Sequence, residues 1–336
     1  MWNLQCAAWL TVIVLCAGLG DTQSVAGARS EQPGDRSIHV TLLGTGSPIP
    51  RLDRFGPSTL VEAGSEKLLF DVGRGATIRL WQRGVPFRDL TAVFLTHFHS
   101  DHVSGFPDLW LTGSLRGAFG QRDAAMRVYG PAGTAAMMAH LAQAYEADIR
   151  IRQADERILP AATRIEAEDI TQGVVYERTG VKVTAFDVDH GDAIKPALGY
   201  RIDYAGRSVV LSGDTRVSAN LVRFAAGADL LVHEVAAGRP DFIASDESAR
   251  RVIGHHTTAD QAGEVFSRVK PRLAVFTHIV LLGGDRAPTV DDVVRATRMR
   301  YAGPLEAGED LMTIDVGDHI AVKRPSSTSR RPLPVP

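Results

Sequence analysis

The sequence predicts an α/β fold in which strand-rich, helix-containing stretches occur twice, before and after about residue 180. Three observations carry that expectation. Short β-rich runs bounded by Gly and Pro alternate with segments of helical period. No Gly-, Ser- or Pro-rich linker interrupts residues 40–320, in keeping with one domain over residues 29–324. An apolar run, residues 92–96, ends directly in His97-Phe98-His99-Ser100-Asp101-His102, so a cluster of ligand-type side chains spills from the carboxyl edge of a sheet.

Taken in order, residues 38–43, 58–63 and 67–72 are short, β-rich and separated by turn residues. Residues 76–83 read as a helix, 92–96 as the strand before the cluster, and 103–115 as mostly helical. A strand at 126–129 precedes a helix at 134–145 with Met137, Met138 and Leu141 on one face. Residues 149–177 are charged and show no clear period. Strands of a second sheet are expected at 181–188, 197–204 and 208–212. Helices follow near 218–226, 259–269 and 290–299, and strands near 229–234, 273–277, 311–316 and 319–323. The Pro-, Ser- and Arg-rich residues 325–336 read as a disordered tail.

A net charge of −2 supplies no general field to attract nucleic acid. The amino-terminal stretch is different in kind: residues 4–19 carry no charge, and Ala26-Gly27-Ala28 offers small residues where a signal peptidase cuts. Residues 1–28 therefore read as a secretory signal, with an uncleaved anchor as the alternative, and the expected location is the periplasm or the exterior. The apolar run is short for a membrane span, so no stable span is expected after signal removal. Both cysteines, Cys6 and Cys16, lie inside that stretch, which leaves the mature chain without disulfides or thiolate ligands.

The cluster itself points to metal. Neutral imidazoles and a carboxylate suit Zn²⁺ or a similar cation. Alternate residues of an extended segment point the same way, so His97 and His99 can grip one ion, while Asp101 and His102, after a bend, can face a second.

With Leu42-Leu43-Gly44-Thr45-Gly46-Ser47, Phe70-Asp71-Val72-Gly73, Asp189-His190-Gly191, Ser212-Gly213-Asp214-Thr215 and Phe276-Thr277-His278, the chain resembles the metallo-β-lactamase superfamily over residues 40–280. His233-Glu234 and His256-Thr257-Thr258, followed by Gln261-Ala262, are similar to the branch containing ribonuclease Z and its arylsulfatase-like relatives. The resemblance implies an αββα sandwich, two mixed sheets flanked by helices. It implies two divalent metal ions, most simply Zn²⁺ with Mn or Fe as alternatives. His97, His99 and His190 would hold the first, Asp101, His102 and His278 the second, and Asp214 would bridge them. His256 would be the proton donor, with His255 as a competitor for that role. Glu234 would orient His256 or hold it charged, and Asp101 counts with these two among the catalytic residues. Asp71 would fix the tautomer of a ligand histidine. His233 and Trp110 are expected in the core, although Trp110 could instead line a pocket. His39, His140 and His319 are ordinary polar residues.

The first reading is a dinuclear hydrolase of small anionic esters, aryl sulfates or phosphodiesters, that uses a metal-bridging hydroxide. The alternative is a ribonuclease Z-like endoribonuclease acting at the 3′ end of precursor tRNA, and the third a non-catalytic binding protein. Residues 149–181 weigh against tRNA as a partner, because five arginines there are offset by six acidic residues. Ile279-Val280 after His278 also departs from the Ser-x-Arg-Tyr continuation familiar in ribonuclease Z. Homodimerisation is left open.

Overall fold

The computed structural model describes residues 36–325. The signal expected at residues 1–28 and the tail from residue 326 onward lie outside the described residues.

Two mixed sheets form the molecule. The first contains β1 (Ile38–Gly44), β2 (Ser58–Ala63), β3 (Glu66–Phe70), β4 (Ala92–Phe94), β5 (Met126–Gly130) and β6 (Ile165–Asp169). The second contains β7 (Gly173–Arg178), β8 (Val181–Asp187), β9 (Leu198–Tyr204), β10 (Arg207–Leu211), β11 (Leu230–Gly238), β12 (Leu273–Leu282) and β13 (Leu305–Ala307). A final hairpin, β14 (Thr313–Val316) and β15 (Ile320–Lys323), crosses back to the first sheet. The strand orders are β15-β14-β1-β2-β3-β4-β5-β6 and β13-β12-β11-β10-β9-β8-β7.

Strand alternation feeds separate apolar layers. Ile38, Val40 and Leu42, with Leu68, Phe70 and Phe94, meet Val183, Tyr200, Val209 and Val232 between the sheets. Leu60, Leu69, Val93 and Leu95 point the other way, to Phe106, Leu109 and Trp110. On the far side Val210, Leu231 and Ala274 pack with Ala262, Val265 and Phe266. Helices thus cover both outer faces, the αββα arrangement. Strands buried on both faces lose the polar alternation of a half-exposed sheet, which is why they read as unbroken apolar runs. Trp110 is core, fully buried, and its Nε1 donates to the Thr163 carbonyl at 3.1 Å.

Three sequence expectations need correction. The boundary near residue 180 does not separate the sheets: β7 precedes it yet joins the second, while β14, paired antiparallel to β1, joins the first. Residues 149–177, where the sequence shows no period from which to place an element, comprise most of the helix Glu146–Asp155, then β6 and β7. That helix buries no residue fully and both strands are sheet edges, so neither shows an apolar period. Finally, β11 and β12 run well beyond residues 234 and 277, and the helices Pro240–Ser245 and Glu247–Gly254 lie between them. Among the described residues no helix is long and apolar enough to cross a membrane.

Candidate metal centre

The centre is built where strands of both sheets end or bend. After β4, Thr96 is held by Asp71, whose carboxylate accepts from Thr96 N and Oγ1, both at 2.8 Å. His97 follows, then His99 in extended conformation at the start of the one-turn helix Ser100–Val103, which carries Asp101 and His102. His190 follows β8, and Asp214 follows β10 after Gly213. Gly213 sits at φ +60, and a Cβ there would lie 2.4 Å from the Leu198 carbonyl oxygen, so only glycine makes this turn.

His278 arrives differently from its expected position at a strand terminus. It lies inside β12, where Glu234 pairs with Thr277 and Val235 with Ile279, leaving His278 as an extra, unpaired residue at φ +41. A bulge of this kind re-aims a side chain that regular pairing would send elsewhere, and a positive φ at a non-glycine residue is held only by the surrounding structure. Asp71 shares that feature at φ +57.

The seven proposed ligands converge. His97, His99, His190 and Asp214 form one set and Asp101, His102 and His278 another, the donor atoms of each lying within 4.8 Å of one another. Asp214 Oδ2 lies 3.9 Å from His97 Nε2, 3.7 Å from His190 Nε2 and 3.2 Å from both His102 Nε2 and His278 Nε2. One carboxylate oxygen therefore faces both sets. All of these residues are buried except the half-buried His99.

Hydrogen bonds behind the rings test whether this donor set suits a cation. His190 Nδ1–H donates to the His255 carbonyl at 2.9 Å. Thr96 Oγ1 spends its proton on Asp71 and so accepts from His97 Nδ1–H at 2.9 Å. His102 Nδ1–H donates to Asp71 at 2.7 Å. Each bond commits one ring nitrogen as donor and turns the other inward as a lone pair. His97 Nε2 and His190 Nε2 lie 3.0 and 3.2 Å from His99 Nδ1, and the buried His102 Nε2 faces Asp214 Oδ2 at 3.2 Å. One Nδ1–H on His99 can serve only one of the two inward lone pairs well, whereas a cation among the rings serves both. The residues fit divalent metal.

Charge reinforces the point. Burial works against ionised Asp214, yet His278 and His102 hold its pKa well below the usual carboxylate value. Burial likewise opposes charge on His102 and His278, but Asp214, aided by Asp71 at His102 and Asp101 at His278, raises both above the ordinary imidazole value. Burial pushes His190 down to about 4 and His97 well below its usual value.

His256 lies against the second set, its ring 5.4 Å from His278, and its Nδ1 is 3.1 Å from Glu234 Oε2. Glu234 Oε1 accepts from the backbone of Thr257 at 2.8 Å and of Thr215 at 3.3 Å. Burial drives Glu234 well above the usual carboxylate value and His256 down to about 4. Of the two roles expected for Glu234, the geometry favours orientation over charging: it fixes the His256 ring with Nε2 free. His233 is a buried structural residue, its Nδ1 2.6 Å from the Glu234 carbonyl. Sequence reading missed Thr96, Thr215 and Thr257, which hold Asp71, His97 and Glu234 in place. No short-range pattern marks a threonine for that duty.

Comparison with known proteins follows the same lines. The family model described as a beta-lactamase superfamily domain matches residues 67–279. A ribonuclease Z from Mycobacterium sp. (strain KMS) is 37% identical over 290 residues, covering 85% of this chain and 99% of the relative. Among solved structures, human tRNase Z, short form, superposes with a TM-score of 0.62 at 22% identity, covering 83% of this chain and 99% of the other. Zn²⁺-bound PqqB from Methylobacterium extorquens does so with a TM-score of 0.59 at 18% identity, covering 83% and 100%. The chain belongs to the metallo-β-lactamase superfamily, in the branch that contains ribonuclease Z, and is a hydrolase of that fold.

Proposed function

We propose that this chain is a ribonuclease Z-like phosphodiesterase with two divalent ions, most simply Zn²⁺. The Glu234–His256 pair carries the reading: an oriented imidazole stands beside a centre whose Asp214 faces both ligand sets. The relatives named ribonuclease Z support a phosphodiester substrate. They give no support to aryl sulfate, so the small-ester expectation is corrected in that respect. The expectation of little tRNA affinity is also at odds with their name.

His97, His99 and His190 would hold one ion, Asp101, His102 and His278 the other, with Asp214 shared. Bound there, the pair supplies Lewis acidity toward water and toward the phosphate oxygens. The protein does the rest. Asp71 and the His255 carbonyl lock ring orientations, so the donors need no rearrangement on binding. His256 Nε2 would take up a proton in the substrate complex and deliver it at the leaving oxygen. Glu234 keeps that ring from turning.

A small-diester substrate stays open as a second reading, for one reason. Residues 149–181 form a helix and two edge strands, with Glu166, Glu168 and Asp169 along β6, and provide no basic arm for phosphate contacts. Assaying the purified chain on precursor tRNA, bis(p-nitrophenyl) phosphate and p-nitrophenyl sulfate decides. The proposal expects cleavage of precursor tRNA at its 3′ end and of the diester, with the sulfate inert. Hydrolysis of the sulfate alone overturns it.

Metal uptake should depend on pH with a definite sign. His102 and His278 hold protons above the usual imidazole value, and only the neutral ring ligates. Affinity should therefore rise with pH until both are deprotonated and weaken as pH falls. Competition titration with a chromophoric chelator between pH 6 and pH 8, a range on the order of one unit about neutrality, measures it. A flat profile would mean that no proton is displaced.

A further inference from the structure

Resting on the phosphodiesterase reading, we infer that His255 is a substrate-contacting residue, which donates a hydrogen bond from its ring to a phosphate oxygen of a diester bound on the His190 side of the centre.

The His255 ring stacks on His190, with centroids 4.9 Å apart and planes 28° from parallel, and lies 6.5 Å from His99. It is half-buried at the rim, where the ligand rings beneath it are mostly enclosed. Its carbonyl accepts from His190 Nδ1–H, so the main chain alone performs the orienting duty. Among the described residues, no protein group hydrogen-bonds to its ring nitrogens, and neither is a buried, stranded atom. Neither nitrogen is committed to a protein partner. Gly191 permits this close approach: it is at φ +101, and a Cβ there would lie 3.1 Å from the His255 Cβ.

The neighbouring histidine makes the contrast. His256 is tied to Glu234 and stacks on His278 at 5.4 Å and 22°. The two consecutive imidazoles are placed differently: His256 stands between the sets, its ring 5.4 Å from His278 and 5.0 Å from His190, whereas His255 meets the His97–His99–His190 set, at His190 and His99. A phosphodiester in such a site presents a leaving oxygen at one end and non-bridging oxygens along its flank. Cations neutralise the charge and hold the oxygens they coordinate, and an imidazole N–H adds a directional donor to an oxygen they leave free. His256 serves the leaving oxygen, and His255 aligns the flank at the opposite side.

The test compares His255→Phe, which keeps a ring for the stack, His255→Gln, which keeps a donor, and His255→Ala, on bis(p-nitrophenyl) phosphate with bound metal measured for each. Loss of one neutral hydrogen bond should raise KM about tenfold in the Phe and Ala variants, with kcat within about twofold. His255→Gln should recover most of that KM, and all three should keep wild-type metal content. Wild-type KM in His255→Phe, with the parent enzyme active, overturns this inference alone. Loss of metal in His255→Ala that His255→Phe restores would make the ring a prop for His190, which also overturns it. A parent enzyme inactive on every phosphodiester removes the underlying reading, and this inference with it.

Discussion

Asp214→Ala is expected to hold less than one metal equivalent per chain, against about two in the parent, and to lose at least about 10³-fold in turnover, because centres of this kind supply several kcal/mol of transition-state stabilisation. Asp214 Oδ2 is within 3.9 Å of four imidazole nitrogens drawn from both ligand sets. Removing it strips one ligand from each set at once. It also removes the negative charge that offsets two adjacent dications, which repel each other four times as strongly as two unit charges at the same separation. Asp214→Asn, which keeps the shape and one acceptor but no charge, should fall between the two. Elemental analysis after exhaustive dialysis, with circular dichroism to establish folding, reads the result. A folded Asp214→Ala protein with full metal and full rate would remove Asp214 from the shared position.

The second large effect separates chemistry from metal binding. His256→Ala should retain its metal yet lose about 10²- to 10⁴-fold in turnover, the range expected when a positioned proton donor is removed. The loss should shrink for diesters with acidic leaving groups such as p-nitrophenol, which depart without protonation, and be largest for alkyl and ribose leaving groups. His256 is buried and held near a pKa of about 4, so it rests neutral at pH 7 and must acquire its proton within the substrate complex. A single rate loss across leaving groups of widely different pKa falsifies the assignment. Metal loss in this variant would instead make His256 a ligand, a reading the proximity of Asp214, His256 and His278 keeps worth testing.

Much of this site is legible in the chain. All seven donors follow or interrupt apolar runs, and four fall within six residues, a density that little besides metal chemistry requires. The helix expected at 259–269 is found at Ala259–Val269, and the structure shows it opening at Thr258 with Gln261 completing a capping box. These features are local, set by which residues stand next to which, and a sequence displays local order directly.

Other features depended on pairing between distant segments. The return of β14 to β1 brings Ile314 opposite Val40, 274 positions apart in the chain, and no property of either strand names its partner. The helix Glu146–Asp155 and edge strands β6 and β7 have no buried stripe to betray them. The aim of His278 depends on a bulge created by the register between β11 and β12, and a one-residue slip there would turn the ring away. Glu234 meets His256 because β11 and the loop after Glu247–Gly254 are brought together by the sheet. The sequence by itself therefore determined the fold class, the metal-type donors and their order. Tertiary structure alone decided which ring nitrogens turn inward and which histidine ring is left without a protein hydrogen bond, because orientation and burial arise from contacts between residues far apart in the chain.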